Sequence, residues 1–450
     1  MSESMLSSII TALDEQILND PRLVQAVFDD LIAAQRKLGL VFGDRPTCPF
    51  LRPHMVTRSQ YDEVSRASSI IAAAVERMVA RALVDDDLLA VLGPTERETQ
   101  MARIDPGYSC LSVSSRLDSY LSDAGFQFLE YNAETPAGVG DQMQLEQVLF
   151  PLAHLKALLA ERAHWRPQPH RRLLKALVDA YREGGGEAER PQIAIVDWKG
   201  VATESEFFVL RDYFADQGYE TIIADPGELL YDGKHLSRGD FRIDIVYKRV
   251  IIHEFLERCD ENHPLALAYA DRNICLVNSF RSKLAHKKAS FAVLSDPAYE
   301  EMFTGTEIEI FHKHIPWTRR VRRGRTTFHD SEQDLIALMR QERNRLVLKP
   351  NDDYGGHGVF IGWESTADEW EHAIQIALER PYVVQERVAL KKTPMPMFTD
   401  RVRLEEMFID FNPFLFHNEV EGALVRLSTS SLLNVTSGGG QTALLVLEGM

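Results

Sequence analysis

The chain is expected to be an α/β protein of several domains, and three observations carry that expectation. Its 450 residues exceed one ordinary domain and suggest about three. The apolar spacing changes from three-to-four in the N-terminal part to two from about Ser109. A Gly-rich linker, EGGGEAERP (183–191), then precedes a strand–helix–strand succession of the length of a βαβ unit.

Residues 1–104 read as a helical N-terminal region. DPRLVQAVFDDLIAAQRKL and SRASSIIAAAVERMVARALVDDDLLAVL put apolar residues at helical spacing, with the Pro-rich GDRPTCPFLRP between them. Residues 105–185 open on two alternating strands, CLSVSSRLDSYL and FQFLEYN, around the turn-forming SDAG, and continue as a helical stretch over 141–183. Residues 186–285 form a small α/β, Rossmann-like domain: the strand QIAIVDW, the helix ATESEFFVLRDYFADQG, then YETIIAD and RIDIVYKRV. Residues 286–450 hold a helix in HKKASFAVLSD, a strand in EIEIF, the basic HKHIPWTRRVRRGR, a polar helix over 331–343 and the hairpin RLVLKPNDDYGGHGVFIGW.

With 50 basic and 67 acidic residues the net charge is −17, which argues against a nucleic-acid or anionic-membrane surface and leaves room for a local basic pocket. Cys48, Cys110, Cys259 and Cys275 form no CxxC and read as thiols of a reducing compartment. MSESMLSSIITALDEQIL lacks the basic region of a secretory signal, and no uncharged apolar run approaches the roughly 20 residues that span a bilayer. A cytoplasmic protein without membrane or nucleic-acid partners is expected.

Two segments carry chemistry. In FLEYNAETPAG, Glu130 and Asn132 are two residues apart and share a strand face. Pairing about SDAG sets Asp118 opposite Glu130 and Arg116 opposite Asn132. Like charges roughly 5 Å apart repel, and a hard divalent cation between them removes the repulsion. On the residues alone the face is either a cation site or a solvated surface whose acids Arg116 satisfies. In LVLKPNDDYGGHGVFIG, Lys349 ends an apolar strand, and Gly355, Gly356 and Gly358 follow. There is no GK[ST], so this is not a Walker A loop. It reads as a hairpin whose glycines let N–H groups approach phosphate oxygens, or as an ordinary Gly-rich turn.

About thirty residues on, YVVQERVAL runs a β-branched strand into Gln385 and Glu386. A strand-end lysine, a glycine flap and a VVQE segment together resemble the ATP-grasp fold. That resemblance implies that Lys349 contacts nucleotide phosphates and that Gly355, Gly356 and Gly358 close over them. It implies too that Gln385, Glu386 and Val388 belong to the hinge whose backbone reads adenine. After the hinge, LEEMFIDFNPFLF offers Asp410 and Asn412 but no convincing magnesium pair. RLD and EYNAETPAG instead resemble the Arg-x-Asp and Glu-x-Asn magnesium motif of glutathionylspermidine synthetases. Their position upstream of the lysine resembles the circularly permuted ATP-grasp group.

The resemblance implies ATP as cosubstrate and one or two Mg²⁺ ions on Asp118, Glu130 and Asn132. Arg116 would stabilise charge beside them. Arg426, in GALVRLSTSSLLNVTSGGGQ, falls where related ligases place an arginine on the transferring phosphate, and reads otherwise as a surface arginine. Lys313 or Arg320 falls at a second phosphate cation, in a run that reads otherwise as a solvated face. NVTSGGG (434–440) reads as a turn. His312 and His314 alternate on the expected strand without a third metal ligand. GYSC (107–110) has no base to activate its thiol.

The implied reaction joins a small-molecule or peptide carboxylate to an amine through an acylphosphate. Two other outcomes compete: phosphotransfer to another acceptor, and a catalytically idle nucleotide-binding module of a biosynthetic complex. Intact acids at 118 and 130 count against the idle module. The pattern names neither substrate and sets no oligomeric state.

Overall fold

The computed structural model describes residues 3–122, 125–329, 331–353, 356–430 and 439–449. Helices α1 (Glu3–Leu18) and α2 (Gln25–Leu38) come first, followed by strand β1 (His54–Thr57) and helices α3 (Arg58–Ala82), α4 (Asp86–Leu92) and α5 (Glu96–Arg103). A reciprocal cap starts α3: Gln60 N–H donates to Thr57 Oγ1 at 3.1 Å, and Thr57 N–H donates to Gln60 Oε1 at 3.0 Å. Its buried face (Tyr61, Val64, Ile71, Val75 and Met78) repeats at helical spacing. Gly93 ends α4 in the left-handed conformation, φ 69°.

Strands β2 (Ser114–Ser122) and β3 (Gly125–Asn132) form the hairpin. Arg116 pairs with Asn132 and Asp118 with Glu130, but Ser119 pairs with Phe128. Leu129 is therefore an extra residue in β3. Without this bulge, the register nearer the turn would set Asp118 against Leu129 and send Glu130 and Asn132 to the opposite face. The stretch expected as continuous helix over 141–183 is α6 (Asp141–Leu149), α7 (Ala153–Glu161) and α8 (Pro169–Glu183). Pro151, Pro167 and Pro169 account for the breaks, since proline has no N–H for a preceding turn.

Next come β4 (Ile193–Val196), α9 (Glu204–Asp216), β5 (Thr221–Ala224), β6 (Ile245–Lys248) and β7 (Cys275–Val277). The four strands form a parallel sheet in the order β7-β6-β4-β5. All four residues of β4 are fully buried, as a central parallel strand covered on both faces requires.

Helices α10 (Ser282–His286), α11 (Ala289–Leu294) and α12 (Gly305–His314) lead to β8 (Thr318–Arg320), α13 (Leu335–Gln341), β9 (Leu346–Pro350), β10 (Phe360–Ile361), α14 (Ala367–Glu379) and β11 (Tyr382–Glu386). Here two expectations fail. EIEIF is helix, not strand, so His312 and His314 do not alternate on a sheet. Thr304 caps the helix reciprocally with Glu307, and the buried residues Glu307, Phe311 and His314 have helical spacing. The polar helix expected from 331 begins at Leu335, after a short strand, Ser331–Asp334. Strands β8, β11, β9 and β10 make an antiparallel sheet in that order.

The chain ends with β12 (Lys392–Phe398), β13 (Val402–Phe416), β14 (Glu419–Ser428), β15 (Gly440–Thr442) and β16 (Leu444–Leu447). The largest sheet runs β15-β14-β13-β2-β3, with β12 also on β13, so the early hairpin extends a sheet built from the last strands. In that sheet Arg116 pairs with Phe414 and Asp410 with Arg426. Strand β16 lies parallel to β1. Among the described residues no helix is long and apolar enough to cross a membrane.

Candidate functional site

Alternation along β2, β3, β13 and β14 brings charged side chains onto one sheet face. Arg116 grips Asp118 with two bonds, Nε to Oδ1 at 2.7 Å and Nη2 to Oδ2 at 3.0 Å. Arg426 donates from Nη2 to Asp118 Oδ2 at 3.0 Å and from Nε to Asp410 Oδ2 at 2.8 Å. Asn412 Nδ2 donates to Asp410 Oδ1 at 2.7 Å, while its carbonyl accepts Ser119 N–H at 2.9 Å. Within β3, Asn132 Nδ2 is 3.4 Å from Glu130 Oε1.

The facing wall comes from β9 and β11. Lys349 Nζ donates to Gln385 Oε1 at 2.7 Å, and Gln385 Nε2 donates to Thr318 Oγ1 at 3.0 Å and to the carbonyl of the bulged Leu129 at 3.2 Å. Gln385 thus ties the second sheet to the hairpin. Between the walls stands Lys288, whose Nζ is 3.2 Å from Glu130 Oε2 and donates to the Asp353 carbonyl at 2.8 Å. The space enclosed measures about 380 Å³. Its charged end is bounded by these groups, and its other end by Val347, Ile361, Trp363, Val388, Leu390 and Phe408.

Charge balance decides which groups are ionised. Burial raises Asp118, but Arg116 and Arg426 outweigh it and hold the carboxyl well below the usual range. Burial likewise raises Glu130 and is overcome chiefly by Lys288. Asp410 has only a share of Arg426; burial, helped by the charge of Asp118, pushes it up to about 6. Burial lowers Lys349 to about 8, against the pull of Glu130. At neutral pH the site therefore holds ionised Asp118 and Glu130 beside a charged lysine.

Of the residues singled out in the sequence, Arg116, Asp118, Glu130, Asn132, Lys349, Gly356, Gln385, Glu386, Val388 and Arg426 line this one cavity. Glu386 also accepts from Arg345 Nη2 at 2.6 Å and is tied up by it. Gly358 does not line the cavity; its φ is 67°, and Tyr382 Oη donates to its carbonyl at 3.0 Å. Gly355 lies outside the described residues, as do residues 434–438 of NVTSGGG. Lys313, on helix α12, is exposed, does not line the cavity and is paired with Glu63 at 2.7 Å. Arg320 does not line the cavity either.

Three residues of the site went unassigned in the sequence. Asp410 and Asn412 repeat the two-residue spacing of Glu130 and Asn132, and that spacing was the available signal. Lys288 belongs to no pattern beyond a pair of lysines in HKKAS. Among the described residues no group of three or more His, Cys, Asp or Glu side chains could hold a metal. The candidate set is two carboxylates and one amide, hard oxygen donors of the kind magnesium takes when phosphate and water complete its shell.

No family model matches the chain. It is similar to an uncharacterized protein of Mycobacterium tuberculosis, 24% identical over 347 residues, covering 72% of this chain and 58% of that protein. An uncharacterized protein of Mycobacterium leprae is 23% identical over 438 residues, 90% of this chain and 73% of its own length. The chain thus spans 58% of the length of the first of these relatives. Among solved structures it is similar to a glutathione synthetase-like effector from Globodera pallida in its apo form. The TM-score is 0.57 at 14% identity, with 96% of this chain and 99% of that chain covered. The fold is ATP-grasp-like.

Proposed function

We propose that the chain is an ATP- and Mg²⁺-dependent ligase that joins a carboxylate to an amine through an acylphosphate. One observation carries the reading: two half-sites more than two hundred residues apart in sequence meet in one cavity. Asp118, Glu130 and Asn132 come from the hairpin; Lys349, Gln385 and Val388 come from the antiparallel sheet and the segment after it. The ATP-grasp-like fold supports it. The entry of the early hairpin into a sheet of late strands supports a circularly permuted order.

In this reading the apolar end of the cavity takes adenine, beside the backbone of Gln385 to Val388. Lys349 and Lys288 hold the phosphates. Asp118, Glu130 and Asn132 hold magnesium, which when bound neutralises phosphate charge and aligns the transferring group. Arg116 and Arg426 sit where charge builds on the phosphoryl oxygens and the acyl oxyanion. The carboxylate oxygen of one substrate bonds to the γ-phosphorus and ADP leaves. The amine of the second then bonds to the acyl carbon, the acyl carbon–oxygen bond breaks, and phosphate leaves while the nitrogen gives up one proton. The partners are a small-molecule or peptide carboxylate and an amine.

The test is isothermal titration of a non-hydrolysable ATP analogue into wild type and Glu130→Gln, with and without Mg²⁺. The expected result is binding by wild type that weakens about tenfold or more in the variant only when Mg²⁺ is present. A folded wild type that binds no analogue overturns the reading.

A further inference from the structure

A second cavity, of about 970 Å³, is lined in part by Arg320 at the end of β8 and shares no lining residue with the first. One wall is apolar, built from Met78, Leu88 and Val91 on α3 and α4 and from Met302 and Phe303 opposite. Arg77, Arg81, Arg320 and Arg322 add four guanidinium groups. Two of them are committed: Arg77 is paired with Glu307, and Arg81 with Asp85 at 3.2 Å. The other two are not. Arg320 is part-buried, and its Nη1 has no hydrogen-bond partner. Arg322 stands exposed next to it, and among the described residues neither has an ion pair with an acid. The remaining acids, Asp87 and Glu301, are exposed at the rim.

A part-buried guanidinium with an unmet N–H carries a desolvation cost that an ordinary structural arginine avoids by pairing. An anion bound to the accessible part of this side chain and to Arg322 would offset its unpaired charge. The volume lies within the range of small-molecule sites. We propose that this cavity is a second ligand site, taking a small organic anion whose phosphate or carboxylate meets Arg320 and Arg322 while its apolar body lies against Val91 and Phe303.

Arg320 is also packed near the segment that follows Lys349. Gly93, the left-handed cap of α4, packs so close to Arg320 that a Cβ there would lie 3.0 Å from Nη1. The preceding Leu92 carbonyl accepts from Asn351 Nδ2 at 2.8 Å, two residues beyond Lys349.

The experiment titrates phenyl phosphate and benzoate into the full chain, into Arg320→Met and Arg322→Ala, and into Lys349→Met. Saturable binding by wild type, weakened about tenfold or more in Arg320→Met and kept in Lys349→Met, is the expected result. Arg322→Ala, on an exposed side chain, is expected to weaken binding too, and it carries the test if Arg320→Met does not fold. Preference for phenyl phosphate assigns a phosphate ligand, and preference for benzoate a carboxylate. Absence of saturable binding by wild type overturns the proposal. So does binding lost in Lys349→Met and intact in both arginine variants, which would assign the anion to the first cavity.

Discussion

Asp118 and Asp410 share one guanidinium: Arg426 reaches Asp118 Oδ2 at 3.0 Å and Asp410 Oδ2 at 2.6 Å through the same Nη2. The two acids respond in opposite directions, because Asp118 has Arg116 as well and Asp410 has the charge of Asp118 against it. Removing the shared cation leaves two buried carboxylates facing each other. Arg426→Met is expected to lose about 3–5 kcal/mol of unfolding free energy, measured by urea denaturation at neutral pH. Adding Asp410→Asn should recover part of the loss, since it removes one of the stranded charges. Equal stability of Arg426→Met and wild type would show that the shared contact is not what holds the acids together.

Gly358 and Tyr382 make a second test of packing. A Cβ at Gly358 would lie 2.9 Å from Pro350 Cγ and 3.0 Å from Tyr382 Oη, at a φ of 67° that L-residues resist. Gly358→Ala is expected to cost about 1–2 kcal/mol from the backbone alone. Tyr382→Phe removes the bond to the Gly358 carbonyl and is expected to cost about 1 kcal/mol. The two losses should sum to more than the double variant shows, because removing the Tyr382 hydroxyl relieves the clash. Strict additivity in thermal or urea unfolding would count against the close approach.

The acid limb of stability is expected to depend on Glu134. This carboxylate is buried and accepts from Lys283 Nζ at 3.1 Å and from the Ile252 N–H. Burial raises it, but Lys283 and Lys248 win and hold it at about 2, against an unfolded value of 4.5. A depressed acid contributes stability that is present above 4.5 and lost as pH falls towards 2, on the order of 3 kcal/mol here. Glu134→Gln should start less stable at pH 7 and show a shallower fall across that window. Parallel limbs for the two proteins in urea titrations would refute the assignment.

What could be read from sequence, and what could not, divides along physical lines. Residues whose position depends on local alternation were legible. Asp118, Glu130 and Asn132 follow from strand periodicity, and Lys349 from its place at a strand end. The bulge at Leu129 was not legible, because one inserted residue leaves the apolar pattern of FQFLEYN unchanged while reversing every side chain beyond it. EIEIF misled in the other direction. Its alternation mimics a strand, whereas Thr304 three residues before Glu307 is the helix signal that wins. Lys288 depends on how α10, just before it, packs against the hairpin, which no short-range pattern encodes. Lys313 was one basic residue among many in its run, and pairing with Glu63 takes it elsewhere.

Lys349 makes nucleotide affinity depend on pH. Burial lowers it from 10.5 to about 8, with Glu130 opposing the fall. Between those values the unfolded chain holds the proton and the folded one does not, so this lysine lowers stability below pH 8 and ceases to do so as pH rises to 10.5. For binding, the sign is the reverse. Phosphate favours the ammonium form, so binding above pH 8 must also take up a proton. The dissociation constant of the Mg²⁺-bound ATP analogue is expected to be flat from pH 6.5 to about 7.5, then to rise by up to about tenfold per pH unit. Lys349→Arg keeps its charge throughout this range and should give a flat profile, whatever its absolute affinity. Isothermal titration at pH 7, 8 and 9 in both proteins checks this. A flat wild-type profile would mean that Lys349 does not meet the phosphates. A rise retained in Lys349→Arg would hand the titration to another group.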